Sequence, residues 1–138
     1  MTFQFMCYNS PVNRCEVRCA YDESLPGVQA ELDVALNFLG ALRRELWTNP
    51  RRFAAKLDKQ KWPEFYEIRF KHKNVQYRPI GFFGPKADEF TFVIWCTEKG
   101  GHILPKTWFK TAKARMDEIK EGGATTLPLY DRDNNEDE

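Results

Sequence analysis

The chain has 138 residues, of which 42% are apolar and 30% are charged, and this suits one domain built around a single hydrophobic core. We expect neither a membrane-spanning helix nor a secretory signal, because the longest apolar stretches are only as long as a strand. The prediction is a cytoplasmic protein whose four cysteines, Cys7, Cys15, Cys19 and Cys96, are reduced thiols.

The formal net charge of +1 conceals a separation of charge along the chain. Residues 43–120 contain 18 Lys or Arg against 9 Asp or Glu, whereas the remaining residues contain 3 against 11. A basic body favours a polyanionic partner, because contacts to phosphates supply most of the sequence-independent affinity for nucleic acid. The alternative is a solvated surface that is basic without such a partner.

Residues 14–21 (RCEVRCAY) alternate weakly between polar and apolar side chains, which predicts the first strand. After a turn, apolar residues recur at helical spacing, with Ser24 as a candidate cap and Pro26 in the first turn. This spacing predicts one long amphipathic helix that ends near Trp47. Its apolar residues are Val28, Leu32, Ala35, Leu36, Leu39, Leu42 and Leu46.

A second, short helix is predicted to open at Asn49-Pro50, a cap followed by proline at the first helical position. Phe53 and Leu57 supply its apolar face. The expected order at the start of the domain is therefore strand, helix, helix.

Three segments rich in aromatic and β-branched residues follow Pro63. They are residues 65–70 (FYEIRF), 75–83 (VQYRPIGFF) and 90–97 (FTFVIWCT), and they predict three consecutive antiparallel strands. Pro79 cannot donate a hydrogen bond to a neighbouring strand, so we expect a bulge or an unpaired position there.

A last helix is predicted to open at residues 105–107 (PKT) and to end at residues 122–123 (GG). Its apolar face carries Phe109, Ala112, Met116 and Ile119. The whole prediction is an α+β fold of order β-α-α-β-β-β-α in residues 1–123, with an N-terminal extension at residues 1–13. Residues 124–138 turn acidic and are predicted to form a flexible tail.

The chain has no Walker loop, dinucleotide fingerprint, nucleophile elbow, zinc-protease motif or C-x-x-C pair, and we expect neither a cofactor nor a metal. Basic and aromatic chemistry remains. Cationic residues lie on or beside the predicted strands and the loop after them, interleaved with aromatic residues, a mixture typical of single-stranded RNA binding. The aromatic residues are Tyr66, Tyr77, Trp95 and Trp108, and the alternative for Tyr66, Tyr77 and Trp95 is that they are core or half-buried sheet residues. The candidate RNA-binding residues are Arg69, Lys71, Lys73, Lys106 and Lys110.

Cleavage of RNA by its own 2′-hydroxyl requires a proton acceptor, a proton donor and cations near the phosphate. Histidine exchanges protons near neutral pH, which makes His102 a candidate, and the forked guanidinium of Arg78 can hold two phosphate oxygens. Lys99 supplies positive charge, so the candidate catalytic residues are Arg78, His102 and Lys99. The alternatives are that Arg78 pairs with Glu67 across the sheet, that His102 caps the loop backbone, and that Lys99 is merely solvated.

Residues 64–121 resemble the RelE/ParE superfamily of type II toxin–antitoxin systems, most closely the HigB-like, phage-derived Gp49-like toxins. The resemblance is carried by EFYEIRF, YRPIGFFG, FTFVIWC, TEKGGHILPK and KTAKARMDEIKEG. The family pattern is an E-x-R strand, a Y-R-x-x-x-F strand, and a lysine-containing loop before a helix with a central A-x-x-R. The matching residues are Glu67, Arg69, Tyr77, Arg78, Lys99, Lys106, Ala112 and Arg115.

The resemblance implies the same β-α-α-β-β-β-α order and a toxin held inactive by a cognate antitoxin. RelE- and HigB-like members cleave mRNA on the ribosome without a metal, whereas ParE-like members inhibit DNA gyrase. A ribosome-dependent mRNA endonuclease is therefore expected, and a non-catalytic protein of the same fold, such as a gyrase inhibitor or an inert phage-derived remnant, is the alternative. By this resemblance Arg69 and Arg78 match phosphate-facing positions, and Lys99, His102 and Lys106 match only the general location of the functional loop. The extension, the acidic tail and the absence of a tyrosine after the loop depart from the pattern.

Overall fold

A computed structural model describes residues 2–12, 14–48, 52–57 and 64–130, and within these ranges the fold is α+β. None of the helices in the described ranges is long and apolar enough to cross a membrane. In chain order the elements are β1 (Gln4–Asn9), α1 (Glu16–Glu23), α2 (Pro26–Gly40), a 3₁₀-helix (Arg44–Leu46), β2 (Ala54–Lys56), β3 (Tyr66–Ile68), β4 (Phe70–His72), β5 (Val75–Tyr77), β6 (Ile80–Phe83), β7 (Glu89–Ile94), β8 (Thr97–Lys99), β9 (His102–Leu104), α3 (Trp108–Lys120) and β10 (Thr125–Pro128).

The strands form two sheets. The large sheet has the order β10-β1-β7-β6-β3-β2, in which β1 and β7 are parallel and the other neighbours are antiparallel. The small sheet has the order β4-β5-β8-β9 and is antiparallel throughout. A separate hydrophobic cluster lies on each side of the large sheet, one with α1 and α2 and the other with α3.

Each of the three predicted meander strands is divided between the two sheets, as β3 with β4, β5 with β6, and β7 with β8. Backbone hydrogen bonds continue across the breaks: Ile68 N donates to Pro79 O at 2.9 Å, and Arg78 N donates to Cys96 O at 2.8 Å. Pro79 lies in the break between β5 and β6, and the pairing of β6 with β7 shifts register between Ile80 and Gly81. The irregularity predicted at Pro79 is confirmed, because proline has no N–H to offer a partner strand.

The predicted first strand at residues 14–21 is wrong, because residues Glu16–Glu23 form α1. The first strand is β1, which lies inside the segment predicted to be an N-terminal extension. β1 is a central strand between β10 and β7, and Met6, Cys7 and Tyr8 are all buried. A strand buried on both faces is a continuous apolar run rather than an alternation, so the period-two pattern did not find it.

The predicted long helix ends early, and the predicted second helix is wrong where it is described. α2 stops at Gly40, whose carbonyl accepts a hydrogen bond from Phe3 N at 2.8 Å. Phe53 directly precedes strand β2, which pairs with β3, whereas residues 49–51 and 58–63 lie outside the described ranges. Ser24 does not cap α2, since its hydroxyl donates to Ala20 O at 2.6 Å. The pairing of β2 with β3 thus overrides a local helix signal.

The last helix agrees with its prediction: α3 spans Trp108–Lys120, and Ala112, Met116 and Ile119 are buried. The predicted tail is wrong for its first residues, because β10 pairs with β1 and Leu129 is fully buried. Residues 131–138 lie outside the described part of the chain.

Two tyrosine hydroxyls hold the end of β10 against the helices. Tyr130 donates to Asp33 Oδ1 at 2.7 Å, and Tyr21 donates to the same oxygen at 2.8 Å. Asp33 lies on α2, so this contact ties the chain after β10 to both α1 and α2.

We expect Tyr130→Phe to lower the free energy of unfolding by about 1 kcal/mol, because the variant loses one hydrogen bond to a carboxylate that keeps Tyr21. Burial, followed by the hydrogen bond to Asp33, raises the pKa of Tyr130 above its ordinary value of 10.0. Folding therefore favours the protonated phenol, and this stabilisation is complete below pH 10 and lost as the pH rises further. Urea unfolding at rising pH should show a smaller loss above pH 10 for Tyr130→Phe than for the wild type; equal losses would contradict the assignment.

Candidate nucleic-acid interface

Two tight hairpins lie side by side at one end of the small sheet. Lys73 and Asn74 connect β4 to β5 with φ of 48° and 69°, and Gly100 and Gly101 connect β8 to β9 with φ of 58° and 82°. Positive φ at both central residues is the requirement of a type I′ turn, which suits glycine and asparagine. Because β4 and β8 run in the same direction, both turns point the same way. We call this end the hairpin tip and define it by Lys71, Lys73, Lys99 and His102.

The hairpin tip carries exposed positive charge. All four of its side chains are exposed, and none makes a hydrogen bond or an ion pair with another residue in the described ranges. Lys99 and His102 are directly opposite each other as the closing pair of their hairpin. Neighbouring strands are about 4.8 Å apart, so β4 and β9 at the two edges of the sheet are separated by about 14 Å. The registers place Lys99 and His102 in one row across the sheet and Lys71 in the adjacent row, with Gln76 and Glu98, so Lys71 lies on the opposite face of the sheet. The tip is therefore a cationic end of the small sheet that presents charge on both faces.

Arg78 is not part of that surface. Its side chain is only 5% exposed, and its Nε donates to Glu98 Oε1 at 3.0 Å and lies 3.8 Å from Glu67 Oε2. Its two terminal nitrogens donate to Tyr77 O, at 2.8 Å, and to Gln76 Oε1. The guanidinium is thus held by the protein itself, which favours the ion-pair interpretation of Arg78 over a phosphate contact. The closest carboxylate is Glu98 rather than the expected Glu67.

The remaining predicted residues form two further groups. Arg69 donates to Glu67 Oε2 at 3.1 Å and belongs with Arg78 to one network of charges. Lys106 and Lys110 are exposed, but β9 leads the chain away from the tip before it reaches them. Of the predicted catalytic and RNA-binding residues, the structure therefore brings four together and leaves Arg69, Arg78, Lys106 and Lys110 elsewhere.

The predicted stacking residues pack against other rings. Tyr66 and Trp108 are buried, and the ring of Tyr77 stacks on Phe70 with a centroid distance of 4.9 Å and an interplanar angle of 6°. Trp95 makes edge contacts with both rings of that pair, with centroids 6.2 Å and 5.9 Å away. These contacts favour a role in the core for the aromatic residues over the alternative role of base stacking.

Glu98 is the residue of the Arg78 charge network that the sequence did not indicate. It pairs in register with Gln76, and the side chains of both residues accept hydrogen bonds from Arg78. The alternation of β5 places Gln76 and Arg78 on one face, but the partner from β8 depends on the pairing register, which is not written in either segment alone.

The four cysteines are free thiols in this structure. Cys7, Cys15 and Cys96 are buried, Cys19 is exposed, and all four are free. Burial raises the pKa of the Cys96 thiol to about 12, which makes it a poor nucleophile. Among the residues that the structure describes, no group of three or more His, Cys, Asp or Glu side chains is arranged to hold a metal ion.

Comparison with known proteins does not assign a function to this surface. No protein-family model matches the chain, and neither a curated protein nor a solved structure matches it. A functional assignment therefore depends on the residues and on the surface that they form.

Proposed function

We propose that the chain is a toxin of the type II toxin–antitoxin kind, with a RelE/ParE-like fold, and that it binds RNA through the hairpin tip. The order of β1, α1, α2, three bent meander strands and α3 supports the β-α-α-β-β-β-α relationship, to which β2, β9 and β10 are additions. Its proposed partners are mRNA on the cytoplasmic ribosome and an antitoxin whose acidic segment covers the tip.

The observation that carries the proposal is the exposed and unpaired charge of the tip. Lys71, Lys73 and Lys99 have no carboxylate partner among the described residues, whereas Arg69, Arg78 and Arg115 are each paired with one. Lysine side chains without an internal partner retain their full capacity to neutralise phosphates. Lys71 and Lys99 extend from hydrogen-bonded strands and Lys73 from a two-residue turn, so little backbone order has to be gained on binding.

The tip also holds two of the three kinds of group that metal-independent RNA cleavage needs, one group for proton transfer and cations near the phosphate. His102 can exchange protons with the 2′-hydroxyl or with the leaving 5′-oxygen, and Lys99, directly across the hairpin, can offset the charge that develops on the phosphate. Arg78 takes a positioning role in this proposal. By binding Glu98 and Gln76 it joins β5 to β8 behind the tip.

The decisive experiment replaces Lys71, Lys73 and Lys99 together with alanine. In a bacterial host, induction of the wild type should arrest growth and produce new mRNA 5′ ends, and the triple variant should do neither. With purified protein and single-stranded RNA, the slope of log affinity against log salt should be smaller in magnitude by about 2 for the triple variant than for the wild type. Each lost phosphate contact contributes about 0.7 to this difference.

The matched control is Lys106→Ala with Lys110→Ala, which removes exposed lysines at the other end of β9. This control should keep both the growth arrest and the salt dependence. If the control loses them and the triple variant keeps them, the tip is not the RNA-binding surface. If the wild type neither binds RNA nor arrests growth, the toxin assignment itself is overturned.

The buried guanidinium of Arg78 favours a second candidate, a non-catalytic protein of the same fold. An arginine saturated by Glu98, Gln76 and Tyr77 O is not free to bind the scissile phosphate. In this candidate the tip binds its target without cleaving it, as a gyrase inhibitor or an inert phage-derived remnant would. Growth arrest with intact mRNA and altered DNA supercoiling would distinguish it from the nuclease.

A further inference from the structure

Helix α2 has an apolar outward face in addition to its buried face. At 3.6 residues per turn, Ala30, Val34, Phe38 and Ala41, which directly follows the helix, point within about 40° of one direction, away from the buried Leu32 and Leu39. All four are exposed, and the exposure reaches 56% for Val34 and 50% for Phe38. A surface helix normally places charged residues there, and a helix that is apolar all round is normally buried. Among the residues that the structure describes, this face therefore lacks a partner.

Beside the helix, the apolar face extends through a contact between two aromatic rings, and a charged side chain lies next to the second ring. The Phe53 ring lies 5.3 Å from that of Phe38, and the guanidinium of Arg52 lies over the Phe53 ring at 4.8 Å. Glu31 lies along the same edge of the face, between one and two helical turns before Phe38. Glu31 and Arg52 are both exposed, and neither forms an ion pair with another residue in the described ranges.

These positions make the face complementary to itself. A two-fold axis midway between Val34 and Phe38, perpendicular to the helix, would bring Val34 of one copy against Phe38 of a second copy and the reverse. This rotation reverses the direction of the helix. Each long edge of the face therefore lies against the same edge of the second copy, and the N-terminal end of the face lies against the C-terminal end. Arg52 lies beside Phe53 and Phe38, towards the other end of the face from Glu31, so the rotation brings Glu31 of one copy towards Arg52 of the other, and it does so twice. Such a self-complementary patch is the requirement for a closed dimer.

We propose that the outward face of α2 is a self-association surface, on which a second copy of this chain docks with its α2 antiparallel to the first. The small alanines at both ends of the face allow the two helices to approach closely. α2 is about 22 Å long, so the helix contact alone predicts a modest interface that forms at raised protein concentration. The proposal does not depend on the proposed RNA-binding function.

The experiment measures the mass of the purified full chain by sedimentation equilibrium over a wide range of concentration. The wild type should pass from monomer to dimer. Val34→Glu should weaken the association by at least about tenfold, because it would bury an unpaired carboxylate against Phe38 of the second copy. Val12→Glu is the control, since Val12 is 87% exposed and lies off α2, and it should associate like the wild type.

A charge exchange tests the antiparallel arrangement. Glu31→Arg and Arg52→Glu should each weaken the dimer by about threefold or more, because each places like charges opposite one another. Combining the two substitutions should restore the association, because a positive charge at position 31 of each copy then faces a negative charge at position 52 of the other. A wild type that stays monomeric at every concentration overturns the proposal, and so does a double variant that associates more weakly than either single one.

RNA binding separates this inference from the proposed function. Val34 is not a residue of the hairpin tip, so Val34→Glu should bind RNA as the wild type does if self-association and RNA binding are independent. Loss of self-association with unchanged RNA binding supports the docking surface. Dimers whose mass is unaffected by Val34→Glu overturn it, whatever the RNA result.

Discussion

Replacing Arg78 with alanine should lower the free energy of unfolding by about 3 kcal/mol, the lower end of the range for breaking a buried ion pair. The variant would leave Glu67, which is buried, without one of its two cations and would remove the group that binds Glu98 and Gln76. The side chain of Glu98 is 28% exposed and can turn to water, so the loss stays at the lower end. The two strands that carry these residues, β5 and β8, should then separate more easily.

Urea unfolding followed by tryptophan fluorescence measures this loss. Lys99→Ala is the matched control, because Lys99 belongs to the same sheet, is exposed and has no side-chain partner among the described residues; its effect should stay within about 0.5 kcal/mol. Arg78→Ala with the stability of the wild type would show that the network does not hold the sheets together. Because Arg78→Ala is expected to be less stable, a loss of toxicity in this variant can be assigned to chemistry only after its stability has been measured.

The second large effect is expected at His102. If the tip cleaves RNA, His102→Ala should slow cleavage by about 10²- to 10⁴-fold, the usual contribution of a general acid or base. Its stability should remain that of the wild type, because the side chain is exposed and has no partner among the described residues. RNA binding should also persist, since Lys71, Lys73 and Lys99 remain to contact phosphates.

The measurement is the rate at which new 5′ ends appear on ribosome-bound mRNA, compared with RNA affinity in the same samples. Lys110→Ala, an exposed position in the first turn of α3, serves as the control and should cleave at the wild-type rate. Unchanged cleavage in His102→Ala would remove His102 from the mechanism. Binding without cleavage in the wild type would instead favour the non-catalytic candidate.

Parts of this fold could be predicted because a buried face repeats along one element. The spacing of Ala112, Met116 and Ile119 predicts α3 and its inner side, and these residues are buried together. The aromatic and β-branched runs predict the meander strands, and Pro79 predicts their irregularity, because both are properties of a short stretch of backbone. Exposed lysines beside turn residues likewise predict part of the candidate site.

Other parts depend on contacts between distant residues. β1 and β10 pair with each other and close one side of the large sheet. β1 is a continuous apolar run near one end of the chain and β10 precedes an acidic segment near the other, and neither pattern predicts that the two strands pair. β2 forms because β3 offers it an edge, although its own residues favour a helix. These elements are decided by burial and register, which only the folded chain defines.

The sequence by itself determined the α+β class, the inner face of the last helix and the excess of cations between Arg43 and Lys120. Only the tertiary structure decided which cations are free. Arg78 and Lys99 are both cationic residues on the small-sheet side of the meander, but pairing of β5 with β8 sets Arg78 against Glu98 and leaves Lys99 at an open turn. The physical reason is that a charge is neutralised by the side chain that the sheet register places beside it, and that neighbour comes from a distant part of the chain.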